Sequence, residues 1–182
     1  MSTTSEPRAA SAAMIEALQA DGPFPDYADK LMLFGRLVGS WDIAGRFFDE
    51  EGNVIKESTG EWHFGWALDG RAIADVLISP PRREREPREP SKAYDLAIRV
   101  YDPKIHGWRV TATFPIYGAT VNLIAREHSN EIWQEGRSPE NNLLRWTFSD
   151  FSDARVRWQG YVSKDEGETW IRDEEIILHR RL

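Results

Sequence analysis

The chain has 182 residues, of which 41% are hydrophobic and 29% charged, a composition typical of one globular domain with an apolar core. Its net charge of −7 argues against nucleic acid or an anionic membrane as a partner, because both attract basic proteins. The absence of cysteine excludes disulfides, thiolate metal sites and cysteine nucleophiles. Since we recognise no signal peptide and no membrane-spanning stretch, we expect a cytoplasmic protein.

Two helices are predicted near the N-terminus. The alanine-rich segment from Ser11 to Ala20 favours a helix, which Gly22 and Pro23 end. Asp26 is the predicted N-cap of a second helix that runs to about residue 37.

From Gly39 onward, apolar residues recur at every second position, which is the period of a half-buried β-strand. Ten strands are predicted, at 40–48, 54–68, 71–79, 93–102, 107–114, 120–128, 131–137, 143–149, 154–163 and 170–180. Short, turn-like links make neighbouring strands antiparallel.

Ten strands in an up-and-down order leave two unprotected edges unless the sheet closes on itself. The predicted fold is therefore all-β: a ten-stranded antiparallel up-and-down barrel with N-terminal helices. We expect residues 1–25 to form a partly helical extension and residues 26–182 to form the barrel domain.

One predicted connection is longer than the others. The segment from Pro80 to Lys92 contains four prolines and charges of alternating sign, with no apolar anchor. This composition favours a solvated loop, and a lid over one mouth of the barrel is the alternative.

Hairpin turns predict which side chains share a face. Asp69-Gly70 is typical of a two-residue type I′ turn, in which both residues have positive φ. Such a turn pairs Trp66 with Ile73, Phe64 with Asp75, and Trp62 with Leu77. Pairing Asp102 with Gly107 in the next hairpin places Tyr101 beside Trp108, Arg99 beside Val110, Ala97 beside Ala112, and Asp95 beside Phe114.

The aromatic face of these hairpins is the predicted barrel interior, because burying tryptophan and phenylalanine stabilises the fold. Ten side chains are predicted to contact a ligand there: Trp62, Phe64, Trp66, Ile73, Leu77, Tyr101, Trp108, Phe114, Tyr117 and Trp146. Trp41, Trp146, Trp158 and Trp170 also fit plain packing positions. Asp75 and Arg99 share this face, as a structural ion pair, a pair that orients a polar ligand group, or a catalytic pair.

Several segments resemble a known family. The stretch LVGSWDIAGRF at 37–47 resembles the Gly-x-Trp opening of calycins. Three further segments resemble bacterial DUF1579-type lipocalin-like proteins: GEWHFGWALDGRAIADVL at 60–77, IRVYDPKIHGWRV at 98–110 and VRWQGYVSKDEGETW at 156–170. Within the last segment, Lys164-Asp165-Glu166 departs from the family's usual motif. The resemblance implies a lipocalin-like barrel of the kind found in fatty-acid-binding proteins and nitrobindin, and it assigns no catalytic residues.

These observations leave alternative functions open. Motifs for nucleotide binding, serine hydrolysis and zinc proteolysis are absent from the sequence, and no two histidines have ligand spacing, so no metal site is predicted. The leading hypothesis is binding of a small hydrophobic or aromatic metabolite. A cofactor-free cyclase, isomerase or hydrolyase using Asp75 and Arg99 is the alternative. A nitrobindin-like haem protein with His179 as ligand is a minor hypothesis, so no cofactor is predicted; homodimer formation stays open.

Overall fold

The computed structural model describes residues 6–86 and 90–181, with side chains from residue 11 onward. The helices are α1 (Glu6–Leu18), a 3₁₀ turn at Pro25–Tyr27, α2 (Ala28–Gly35) and a 3₁₀ turn at Arg82–Glu84. The strands are β1 (Gly39–Phe48), β2 (Val54–Ala67), β3 (Ala72–Ser79), β4 (Ala93–Asp102), β5 (Gly107–Phe114), β6 (Ala119–His128), β7 (Glu131–Arg137), β8 (Leu143–Ser149), β9 (Arg155–Ser163) and β10 (Ile171–Arg180). Across these ranges, no helix combines the length and apolar character needed to cross a membrane.

The ten strands form a closed antiparallel barrel, which confirms the predicted fold. Each strand pairs with its neighbours in sequence, and β1 pairs with both β2 and β10 to close the sheet. Closure satisfies the main-chain groups that an open sheet would leave at its two edges.

The hairpin registers predicted from the sequence are those of the structure. Trp62 pairs with Leu77, and Phe64 pairs with Asp75. Arg99 likewise lies opposite Val110 in the next hairpin. Asp69 and Gly70 have φ values of 58° and 73°, as a type I′ turn requires. This turn lies against the N-terminal segment, and a Cβ at position 70 would be 2.3 Å from the Gly22 carbonyl oxygen.

The helices differ from their predicted bounds. The first helix begins at Glu6 and ends at Leu18 instead of spanning Ser11 to Ala20. Asp26 is not the N-cap of α2, because Pro25 starts a 3₁₀ turn that contains it, and Tyr27 occupies the N-cap without a side-chain hydrogen bond. The proposed division at residue 25 stays a prediction.

Helix α2 closes one end of the barrel, here called the packed end. Leu31, Phe34 and Leu37 are at most 1% exposed. The Phe34 ring lies 4.9 Å from the ring of Trp108 and 6.4 Å from that of Phe148, both edge-on. These contacts fill the barrel beneath the helix with aromatic side chains.

Arg180, at the end of β10, fastens this closing segment to the barrel. Its guanidinium donates hydrogen bonds to the carbonyl oxygens of Val38 (2.9 Å), Arg36 (3.0 Å) and Asp153 (2.8 Å), and it lies 4.0 Å from the centroid of the Trp41 ring. One side chain thus satisfies two main-chain acceptors between α2 and β1 and a third in the β8–β9 connection.

Replacing Arg180 with alanine is expected to lower the free energy of unfolding by about 2–4 kcal/mol, because three carbonyl acceptors lose a charged donor. Urea denaturation followed by tryptophan fluorescence measures the change. Arg46→Ala is the matched control, since Arg46 is exposed and pairs with the exposed Glu57. Equal stability of the two variants would show that Arg180 does not hold the closing segment.

Candidate functional site

The half of the barrel away from α2 contains a cavity of about 510 Å³. Four aromatic side chains, from four different strands, form much of its wall: Trp62, Phe114, Trp146 and Trp158. Exposed residues such as Lys56, Lys92 and Tyr117 border it, so the cavity opens to solvent at this end, here called the open end.

Small residues at inward-facing positions leave this space unfilled. Ala97 and Ala112 pair across β4 and β5, and both line the cavity. On the far side, Gly160 lies opposite Trp146 in the β8–β9 ladder. A barrel of ten strands encloses more volume than such small side chains occupy.

A buried ion pair forms the floor of the cavity. Asp75 on β3 and Arg99 on β4, here called the floor pair, are 3% and 2% exposed. The Arg99 guanidinium contacts one carboxylate oxygen of Asp75, and the indole nitrogen of Trp62 donates to the other at 2.5 Å. Arg99 Nε also donates to Gln134 Oε1 at 3.3 Å.

Aromatic rings surround Arg99 on the side of the packed end. Its guanidinium carbon lies 5.1 Å from the centroid of Phe34, 5.8 Å from that of Phe64 and 5.9 Å from that of Phe148. Burial lowers the pKa of Arg99 to about 9, while the adjacent Asp75 carboxylate favours the charged form. Arg99 is therefore charged at neutral pH, with Asp75 as its counter-ion.

The structure brings seven of the twelve predicted site residues to the cavity. They are Asp75, Arg99, Trp62, Leu77, Phe114, Tyr117 and Trp146. The other five, Phe64, Trp66, Ile73, Tyr101 and Trp108, lie below the floor pair in the packed end. They face inward as the alternation predicts, but α2 fills the space in front of them: Trp66 abuts Gly35, and Tyr101 lies 5.8 Å from the Tyr27 ring.

Three inward carboxyl groups of the cavity lining were not predicted as site residues: Asp95, Asp173 and Glu174. The predicted register did place Asp95 beside Phe114 on the interior face. Glu174 alternates with the buried Ile176 and Leu178, so the period of two could have placed it inside. Asp173 follows no such period, because a β-bulge shifts the register between Arg172 and Glu174.

The histidines considered from the sequence lie outside the cavity lining. His179 is exposed and pairs with Asp42 and Arg155 at the packed end, next to the buried Leu178. That position gives no support to haem binding through His179 inside the barrel. Within residues 11–86 and 90–181, no grouping of histidine and acidic side chains has metal-ligand spacing.

An outer cluster of charges anchors the start of the loop at 80–92. The carboxylate of Glu61, 3% exposed, accepts hydrogen bonds from the Arg82 main-chain nitrogen (3.0 Å), Arg82 Nε (2.6 Å) and Arg181 Nη1 (3.1 Å). Burial alone would raise the pKa of Glu61, but hydrogen bonds from Arg82, His63 and Arg181 outweigh it and hold the pKa below its usual range.

The two ends of the loop lie beside the open end, whereas the anchored residues Arg82 and Arg83 extend back along the outer face of the barrel. Ser79, Pro80 and Lys92 line the rim of the cavity, and Arg83 pairs with Asp42 at 3.0 Å. Residues 87–89 lie outside the described part of the chain, so the choice between a solvated loop and a lid stays a prediction.

No protein-family model and no curated protein matches the chain. Among solved structures, it is similar to the S-type phycobiliprotein lyase CPES from Guillardia theta, with 9% identity over 83% of this chain and 92% of that one and a TM-score of 0.55. Two redesigned β-barrels also match: b11L5F_LGL, with 13% identity over 81% and 94% of the two chains and a TM-score of 0.43, and mFAP0 bound to DFHBI, with 14% identity over 80% and 99% and a TM-score of 0.41. The likeness to the lyase shows the barrel fold, and the DUF1579 assignment stays a prediction.

The floor pair provides a test of interior electrostatics. Asp75→Leu or Arg99→Met alone is expected to lower the free energy of unfolding by about 3–5 kcal/mol, because each leaves an uncompensated buried charge. The double variant removes both charges and is expected to regain most of that loss. Urea denaturation of the four proteins gives the coupling free energy.

The exposed pair Arg46–Glu57 supplies a control cycle, in which alanine substitutions are expected to show no measurable coupling. Additive losses at Asp75 and Arg99 would contradict the assignment of a buried, mutually dependent pair.

Proposed function

We propose that the protein binds one small apolar or aromatic organic molecule in the cavity at the open end of the barrel. The observation that carries the proposal is an enclosed, aromatic-lined space that the protein's own side chains leave unfilled. Its volume of about 510 Å³ lies in the range of cavities that hold metabolite-sized ligands.

The aromatic side chains form a continuous wall. Ring centroids are 6.2 Å apart between Phe114 and Trp146, 5.8 Å between Trp146 and Trp158, and 6.3 Å between Trp158 and Trp62. These rings are tilted or edge-on to one another, at 57–88°, so an apolar ligand can pack against their faces and edges and bury much of its surface, which supports an aromatic ligand in particular.

The geometry of the floor pair favours a structural or ligand-orienting role over a catalytic one. Both carboxylate oxygens of Asp75 are engaged, one by Trp62 and one by Arg99, and the pair is almost fully buried. A general acid or base must exchange a proton with its substrate, and a carboxylate whose two oxygens already have protein partners is poorly placed to do so. The cofactor-free enzyme stays a hypothesis, and we assign no reaction.

Titration with N-pentyl dansylamide, a neutral aromatic probe, is expected to show saturable energy transfer from tryptophan to dansyl with one probe per chain. Ala112→Phe places a ring in the cavity and is expected to weaken binding by at least about tenfold. Thr113→Phe adds the same ring to the outer face of β5 and is expected to leave the affinity within about twofold.

Circular dichroism of both variants is the control that checks whether they keep the barrel fold. Non-saturable signal in the parent protein, or equal effects of the two phenylalanines, would remove the cavity as the binding site.

A further inference from the structure

The wall of the open end contains three inward carboxyl groups: Asp95 on β4, and Asp173 and Glu174 on β10. We call these the mouth carboxyls. Because β4 and β10 are not neighbours in the sheet, the carboxyls project from separate walls of the same cavity. The cavity therefore has an aromatic body and an acidic rim.

A β-bulge in β10 directs both Asp173 and Glu174 toward the cavity. Asp173 is the extra residue of the bulge, so two consecutive acidic side chains line the cavity instead of alternating between faces. Gly160 on the neighbouring strand leaves room for it, since a Cβ there would lie 2.8 Å from Asp173 Oδ1. A bulge and a glycine together form the acidic wall.

Asp95 and Glu174 are half-buried and Asp173 is exposed at the mouth, and they lack the arginine partners that the fully buried acids have. Asp75 contacts Arg99, and Glu61 is held by Arg82 and Arg181. Among the side chains that the structure describes, no such arginine faces the mouth carboxyls, and Asp95 Oδ1 is buried without a hydrogen-bond partner. Buried carboxyl oxygens without a partner are costly, which indicates that a ligand group supplies the missing interaction.

Cations near the rim compensate only weakly. Lys56 is exposed, with its ammonium 4.6 Å from the centroid of the Phe47 ring, and Lys92 is exposed at the edge of the loop. Glu57, also at the rim, pairs with Arg46 on the outside. The groups that face the interior thus leave an excess of acid at the open end.

We propose, on the basis of the binding function above, that the cavity selects aromatic molecules that carry a protonated aliphatic amine. The aromatic body packs on Trp146 and Trp158, and the ammonium lies among the mouth carboxyls. Phe47, which pairs with Glu174 across β1 and β10, also lines the cavity, and the Lys56 ammonium lies over its ring.

The ionisation of the mouth carboxyls gives this selection a pH dependence. Burial, together with the charges of Asp173 and Asp95, raises the pKa of Glu174 to about 8, against a smaller opposite effect of Lys56. Burial raises the pKa of Asp95 to about 6 and also raises that of Asp173. A bound cation favours the ionised carboxyls, so its binding releases protons, and its affinity rises as the pH increases through these pKa values.

Three dansyl probes of similar length test the inference: dansylcadaverine with a terminal ammonium, N-pentyl dansylamide with a methyl, and dansyl-6-aminohexanoate with a carboxylate. At pH 8, the cationic probe is expected to bind at least about tenfold more tightly than the anionic one, with the neutral probe between them. At pH 5.5, the advantage of the cation over the neutral probe is expected to shrink, because Glu174 is then protonated and Asp95 is more than half protonated.

Glu174→Gln and, as a second variant, Asp95→Asn are each expected to reduce the cation's advantage at least about threefold and to keep the affinity for the neutral probe. Glu168→Gln is the matched control, since Glu168 is exposed in the turn before β10 and does not line the cavity. Equal binding of the three probes, unchanged by either variant, overturns the amine selection and leaves the binding function standing. Failure of all three probes to bind overturns the binding function itself.

Discussion

The structure depends on one constraint: the hydrogen bonds between β1 and β10 close the sheet, so the inward side chains of ten strands share one enclosed volume. Closure removes exposed edges, but it also fixes a volume that side chains alone do not fill. The sequence meets this constraint differently at the two ends. Helix α2 and large aromatic residues fill one end, whereas Ala97 and Ala112 leave the other hollow.

The floor pair separates the packed end from the hollow one. A buried charge pair stabilises a fold weakly compared with apolar side chains of similar size, so stability alone does not explain why the pair lies at this depth. Arg99 has phenylalanine rings on one side and the cavity on the other. The pair also fixes neighbouring groups, because Asp75 holds the Trp62 indole and Arg99 holds the Gln134 amide. The floor of the cavity is thereby a fixed polar group at one depth of an otherwise aromatic interior.

The sequence was sufficient to predict the strand order and two hairpin registers. The turn at Asp69-Gly70 sets register locally, and a period of two then extends it along both strands. The same reasoning could not predict depth along the barrel axis. Phe64 and Trp62 are equivalent in an alternation pattern, yet α2 covers the first and leaves the second beside the cavity, because helix docking is a contact between distant parts of the chain. Asp173 was unpredictable for a related reason, since a bulge interrupts the period that would reveal it.

Acidic side chains have different partners at different positions along the barrel, and this difference relates the structure to the proposed function. At the floor of the cavity and on the outer face of β2, acidic groups have arginine partners at close range: Asp75 has Arg99, and Glu61 has Arg82 and Arg181. At the open end, Asp95 and Glu174 face a cavity without such a partner, and burial raises the pKa of each. A protein that only needed a stable barrel would gain by replacing these groups with apolar side chains, because half-buried acids without a partner are costly. Their position above an aromatic wall, within reach of solvent, is what a site for a cationic aromatic ligand requires, because the ligand then supplies both the apolar contact and the missing charge.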